Sequence, residues 1–127
     1  MTERSCNHLV MIVDDDHDVR ESIAEVLEDN DYEPIAAANG REALEILRTD
    51  PNRPCLILLD MMMPVMDGWQ FRALLQQDPE LSSIPVVVLT AHANLPDGGE
   101  VVPMHFLKKP VKLDALLSSV ARFCPKA

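Results

Sequence analysis

The sequence predicts a single α/β domain built on a parallel sheet, and three observations carry that prediction. Short, continuous apolar runs recur along the chain. Continuous rather than alternating runs imply strands covered on both faces. Amphipathic stretches at helical spacing separate the runs, the alternation expected of right-handed βαβ units. Finally, several of the runs stop abruptly on acidic or polar residues, as strands do at a functional sheet edge. Five strands and about five helices follow, with helices on both faces.

Leu9–Val13 is the first strand, ended by Asp14, Asp15 and Asp16. Val19, Ile23, Val26 and Leu27 then recur as one helical face, with Asp18 as the expected N-cap and Asn30-Asp31 as the stop. Pro34–Ala38 is a weaker strand candidate. Asn39-Gly40 is turn chemistry, and Asn39 with Glu42 forms a capping-box pattern ahead of Ala43, Leu44 and Leu47. Cys55–Leu59 reads as a strand ending at Asp60. Asp67-Gly68 turns into a helix carrying Trp69, Phe71, Leu74 and Leu75. Pro85–Leu89 is a strand ending on Thr90, and Met104–Leu107 is another, ending on Lys108-Lys109-Pro110. Leu113–Phe123 closes the chain as an amphipathic helix. Between these lies Asn94–Pro103, where Pro96, Gly98, Gly99 and Pro103 predict a fourth helix that is short, irregular or absent.

The bulk properties narrow the function. At 127 residues the chain fits one domain and buries a core without disulfide or metal staples. A net charge of -10 argues against nucleic acid as a partner, because phosphate backbones demand clustered Lys and Arg. The three cysteines, Cys6, Cys55 and Cys124, show no C-x-x-C spacing. Cys55 reads as a small buried hydrophobe, no disulfide framework or zinc site is expected, and a reducing cytoplasm is the expected location. No apolar stretch is long enough for a membrane span, and Met1–His8 lacks a signal-peptide pattern.

In open parallel sheets ligands bind outside the carboxyl ends of the strands. There the sequence places Asp14, Asp15, Asp60, Thr90 and Lys109. Taken singly, an acid at a strand end is an ordinary cap or turn residue. Converging carboxylates, however, repel one another unless a cation neutralises them. Hard oxygen ligands suit Mg2+, which keeps several waters and accepts one or two carboxylates plus a phosphate. These parts suit phosphoryl transfer to a carboxylate. Asp60, alone at the end of a central strand, is the expected nucleophile, with Asp14 and Asp15 on the metal. Thr90 supplies a hydroxyl donor and Lys109 a positive charge.

The blocks Met11-Ile12-Val13-Asp14-Asp15-Asp16, Asp60-Met61-Met62-Met63-Pro64-Val65-Met66-Asp67-Gly68, Leu89-Thr90-Ala91 and Lys109-Pro110 occur in order. Together they resemble the receiver domains of two-component response regulators, over residues 7 to 123. The resemblance implies a doubly wound, flavodoxin-like sheet of order 2-1-3-4-5, the order known for the family's chemotaxis member. It implies that Asp60 takes a phosphoryl group from a phosphohistidine on a histidine kinase or phosphotransfer protein, with Mg2+ as cofactor. Asp15 would ligate the ion directly, Asp14 directly or through water, and Met62 through its backbone carbonyl. Thr90 and Lys109 would sense the phosphoryl group, and Phe106 matches the switching aromatic. Ala91 matches a small residue that leaves the site open, and His92, two positions past Thr90, is a candidate modulator of water attack.

One departure stands out. Thr90 to Lys109 is shorter than is usual for the family, and the missing length falls in 94–103, part of its usual output face. The expected function is therefore a phosphorylatable receiver acting through a downstream protein target, without a membrane or nucleic-acid partner. The chain ends just past its last helix, so no effector module is expected to follow. The alternative is a constitutive receiver-like adaptor whose contacts ignore phosphorylation. A turnover phosphatase is disfavoured because no general acid stands just beyond Asp60, so the only catalysis expected is the domain's own phosphorylation and dephosphorylation.

Overall fold

The computed structural model describes residues 8–50, 52–60, 66, 68–90, 105–109 and 111–124. In chain order these form β1 (Leu9–Val13), α1 (His17–Asp29), β2 (Glu33–Ala37), α2 (Gly40–Thr49) and β3 (Leu56–Asp60). They continue as α3 (Gly68–Gln77), β4 (Val86–Thr90), β5 (His105–Lys108) and α4 (Leu113–Phe123). The five strands make one sheet of order β2-β1-β3-β4-β5, every pair parallel. The fold class expected from the sequence is thus observed. The segment 94–103, where an irregular further helix is expected, lies outside the described residues.

Alternation along the strands explains why helices cover both faces. Met11, Val13, Ile57, Leu59 and Val88 pack with Ala43, Leu44 and Leu47 of α2 and Phe71 and Leu75 of α3. Val10, Ile12, Leu56, Leu58, Val87 and Leu89 turn the other way, onto Ile23 and Leu27 of α1 and Leu116 and Val120 of α4. All five residues of both β1 and β3 are buried. Each such side chain contributes about 1.5–3 kcal/mol of transfer free energy, so the two central strands are the best anchored. They therefore make rigid mounts for whatever their ends carry.

Local chemistry sets the helix starts. Asp16, not Asp18, caps α1: its backbone is extended and its carboxylate accepts from the N–H groups of Asp18 and Val19. Asp18 instead lies in the first turn, where a negative charge complements the helix dipole. Asn39 caps α2 by accepting from Glu42 N at 2.9 Å, while Glu42 Oε1 reaches back to Ala38 N rather than to the cap itself. At the end of α1, Asn30 is the C-cap and Asp31 takes a left-handed backbone at φ 67°. Gly40 opens α2 where space is short, since a Cβ there would stand 2.9 Å from Met66 Sδ and 3.1 Å from Phe71 Cβ.

One expectation is corrected. Cys55 and Cys124 are joined as a disulfide, their Cα atoms 5.6 Å apart and 69 positions apart in sequence. The parallel topology brings the start of β3 beside the end of α4, a proximity that cysteine spacing alone does not reveal. Among the described residues, no helix is long and apolar enough to cross a membrane.

Candidate functional site

Strand register assembles the site. Val13 pairs with Leu59, so Asp14 and Asp60, each the next residue, end level with one another. Asp60 pairs with Leu89 and Thr90 with Lys108, which brings the ends of β3, β4 and β5 to one edge. The Lys109 N–H then donates to the Thr90 carbonyl at 2.7 Å, extending the ladder by one bond and fixing where the lysine leaves the sheet. The sheet therefore gathers Asp14, Asp15, Asp60, Thr90 and Lys109 as the sequence predicts.

The carboxylates of Asp14, Asp15 and Asp60 each offer an oxygen within 4.8 Å of the others. Asp14 is fully buried and Asp60 nearly so, whereas Asp15 is exposed. Such a set is unfavourable unless positive charge compensates it. Lys109 provides part of that charge, its Nζ lying 2.9 Å from Asp14 Oδ2 and 3.6 Å from Asp60 Oδ1. Partial burial acts to lower the lysine's pKa. The hydrogen bond to Asp14 and the charges of Asp14 and Asp60 outweigh it, holding the ammonium above its usual value.

Asp14 is further fixed by Asp16 N, which donates to its Oδ1 at 2.9 Å. The Arg20 guanidinium donates to the Asp14 carbonyl at 2.8 Å. Neither Arg20 nor the backbone role of Asp16 was anticipated from the sequence. Arg20 carries a weak signal: a long cation in the first turn of a helix that follows an acidic strand end reaches back over that end. The donor set suits a hard divalent cation, being all oxygen, partly buried and open on the Asp15 side.

The other expected site residues fall elsewhere. Met62, Ala91 and His92 lie outside the described residues. Phe106 stands in β5 opposite Val88, and its side chain lies outside them.

Comparison with known proteins points the same way. The family model of the response regulator receiver domain matches residues 10–121. Response regulator Rre1 of Synechocystis sp. is 40% identical over 111 residues, 84% of this chain and 47% of that protein. The chain thus spans about half the length of that relative. Sporulation initiation phosphotransferase F of Bacillus subtilis is 32% identical over 122 residues, covering 94% of this chain and 95% of its own length. Among solved structures, chemotaxis protein CheY4 of Vibrio cholerae superposes with a TM-score of 0.80 at 31% identity, over 91% of this chain and 97% of that one.

Proposed function

Because the chain belongs to the response regulator receiver family, a module of two-component signalling, we propose that Asp60 is its phosphoryl acceptor and residues 1–127 one receiver domain. The observation that carries this reading is the convergence of Asp14, Asp15 and Asp60 beneath the Lys109 ammonium. A bound Mg2+ would neutralise charge on the phosphoryl oxygens as transfer proceeds. Asp15 and Asp60 would hold the ion by carboxylate oxygens and Met62 by its backbone carbonyl. Asp14, whose oxygens already meet Asp16 N and Lys109, would hold it directly or through water.

In the transfer itself an Asp60 oxygen attacks phosphorus in line. The N–P bond of the phosphohistidine donor breaks, and the imidazole departs with the electron pair. Lys109, already 3.6 Å from Asp60 Oδ1, would pair with a phosphoryl oxygen on Asp60 and so be drawn away from Asp14. Thr90, at the next strand end, would donate its hydroxyl to another. Phe106 would follow Thr90 as the switching aromatic, and His92 would tune water attack on the acyl phosphate.

Each of these shifts changes the surface that a partner meets, so the output is a protein contact made differently in the two states. The donor is a histidine kinase or phosphotransfer protein, the receiver of the signal is a downstream protein, and the setting is cytoplasmic. Nucleic acid and membrane play no part in the reading.

The test is incubation with a radiolabelled small acyl phosphate, with and without Mg2+. We expect Mg2+-dependent, acid-labile labelling of the wild type and none of Asp60→Asn. Labelling that survives the substitution would refute the assignment.

A further inference from the structure

We propose that Cys55 and Cys124 form a thiol–disulfide switch that exchanges with low-molecular-weight thiols and disulfides and sets how firmly the last turn of α4 is held to the base of the sheet. The pair sits at the start of β3, the end of that strand remote from Asp60, and the proposal stands independently of the chemistry there.

The disulfide joins the most deeply buried part of the fold to the end of its last helix. β3 is buried at every position, whereas α4 is anchored chiefly by Leu116 and Val120, and its first residue, Leu113, is 56% exposed. Cys124 is the C-cap of α4, its N–H donating to Val120 O at 2.7 Å. The Cys124 carbonyl in turn accepts from the Tyr32 hydroxyl at 3.2 Å. Cys124 is thus the point where α4, the start of β2 and the start of β3 are tied together. Without the covalent link, the tie rests on non-covalent contacts such as the Tyr32 hydrogen bond.

Two features make the link suited to exchange rather than to permanent stapling. First, the partners differ in access: Cys124 is 2% exposed and Cys55 is half-buried. An incoming thiolate therefore attacks the Cys55 sulfur. The S–S bond breaks, Cys124 leaves as a thiolate that takes up a proton, and Cys55 carries the mixed disulfide. A second thiolate attacks the outer sulfur, releasing a small symmetrical disulfide and the Cys55 thiolate. In the reverse direction one small disulfide oxidises both cysteines and leaves as two thiols, so electrons balance. Second, the reduced form has a partner ready, because Cys55 Sγ lies 3.3 Å from the Leu9 carbonyl, which would accept from the thiol. The core on both faces of the sheet is ample for a chain of 127 residues, so folding does not depend on the link.

The test equilibrates the intact chain in buffers of reduced or oxidised glutathione, quenches exchange with acid, alkylates the free thiols in denaturant, and maps the peptides. Cys6 supplies a third thiol, so the expected count is one reactive thiol with a Cys55–Cys124 crosslink when oxidised, and three when reduced. Amide exchange in residues 117–124 should be several-fold faster in the reduced form, with β1 unchanged. Cys55→Ser should show the fast exchange in both buffers, and if it folds poorly the wild-type comparison still decides. Three reactive thiols in the oxidised buffer, a crosslink through Cys6, or identical exchange in the two states would each overturn the proposal.

Discussion

The Lys109 ammonium and the buried Asp14 carboxylate meet at 2.9 Å, a pair that spans β3 and β4 to join the ends of β5 and β1. Asp14 is wholly buried, and its two carboxylate oxygens meet this partner and Asp16 N. Lys109→Met removes the cation and leaves the close carboxylates of Asp14, Asp15 and Asp60 without it. We expect it to destabilise the metal-free domain by about 1–3 kcal/mol, less than for a fully buried pair because the lysine is partly solvated. Urea unfolding measures it, and wild-type stability in the variant would show that the pair contributes nothing.

Two groups give the domain an alkaline limit. Burial raises the pKa of Tyr32. That of Lys109 is raised despite burial, by Asp14 and Asp60. Both folded values lie above the unfolded ones, so both contributions are fully present at neutral pH and are lost as pH rises through the folded values. These groups should leave stability flat to about pH 9 and lower it beyond about pH 10. Tyr32→Phe should lose about 1 kcal/mol at neutral pH with the bond to Cys124 O, and decline less steeply in alkali. An unchanged alkaline slope would contradict the assignment.

Removing metal should be visible as a change in melting temperature. An ion held by Asp14, Asp15 and Asp60 would stabilise only the folded chain, where the three carboxylates converge. Mg2+ should therefore raise Tm progressively, reaching about 2.7 kcal/mol of added stability at a hundredfold excess over Kd, and chelation should reverse it. Asp15→Asn should lose most of that shift without unfolding, since Asp15 is exposed. An equal Mg2+ response in this variant would place the ion elsewhere.

Gly40→Ala tests the packing beside the site. Helix propensity favours alanine by up to about 1 kcal/mol. The new Cβ, however, stands 2.9 Å from Met66 Sδ and 3.1 Å from Phe71 Cβ. The thioether can rotate aside, but Phe71 Cβ is fixed by α3. Overpacking of this kind costs about 1–3 kcal/mol, so a net loss is expected by thermal unfolding.

The sequence was most legible where a pattern is local. Leu113–Phe123 has the observed bounds of α4, and Leu9–Val13 those of β1. β3 and β4 each begin and end one residue later than read, and at their far ends Asp60 and Thr90 still pair in the ladder despite being polar. Asp18 was a plausible cap, but the helix start is decided by which acid has the extended backbone, and that is Asp16. The strand-end residues were legible because parallel strands deliver their carboxyl ends to one edge. The Lys109–Asp14 pair and the Cys55–Cys124 link were not, since both depend on how distant elements come together.

Residence of the phosphoryl group on Asp60 can be read directly by chemical trapping. The chain is phosphorylated with a small acyl phosphate and Mg2+, then reduced with borohydride, which converts an aspartyl phosphate to homoserine. Peptide sequencing by mass spectrometry should find homoserine at position 60, dependent on both phosphodonor and Mg2+. Homoserine at another aspartate, or intact aspartate at position 60 in a chain that has taken up phosphate, would show that Asp60 is not the acceptor.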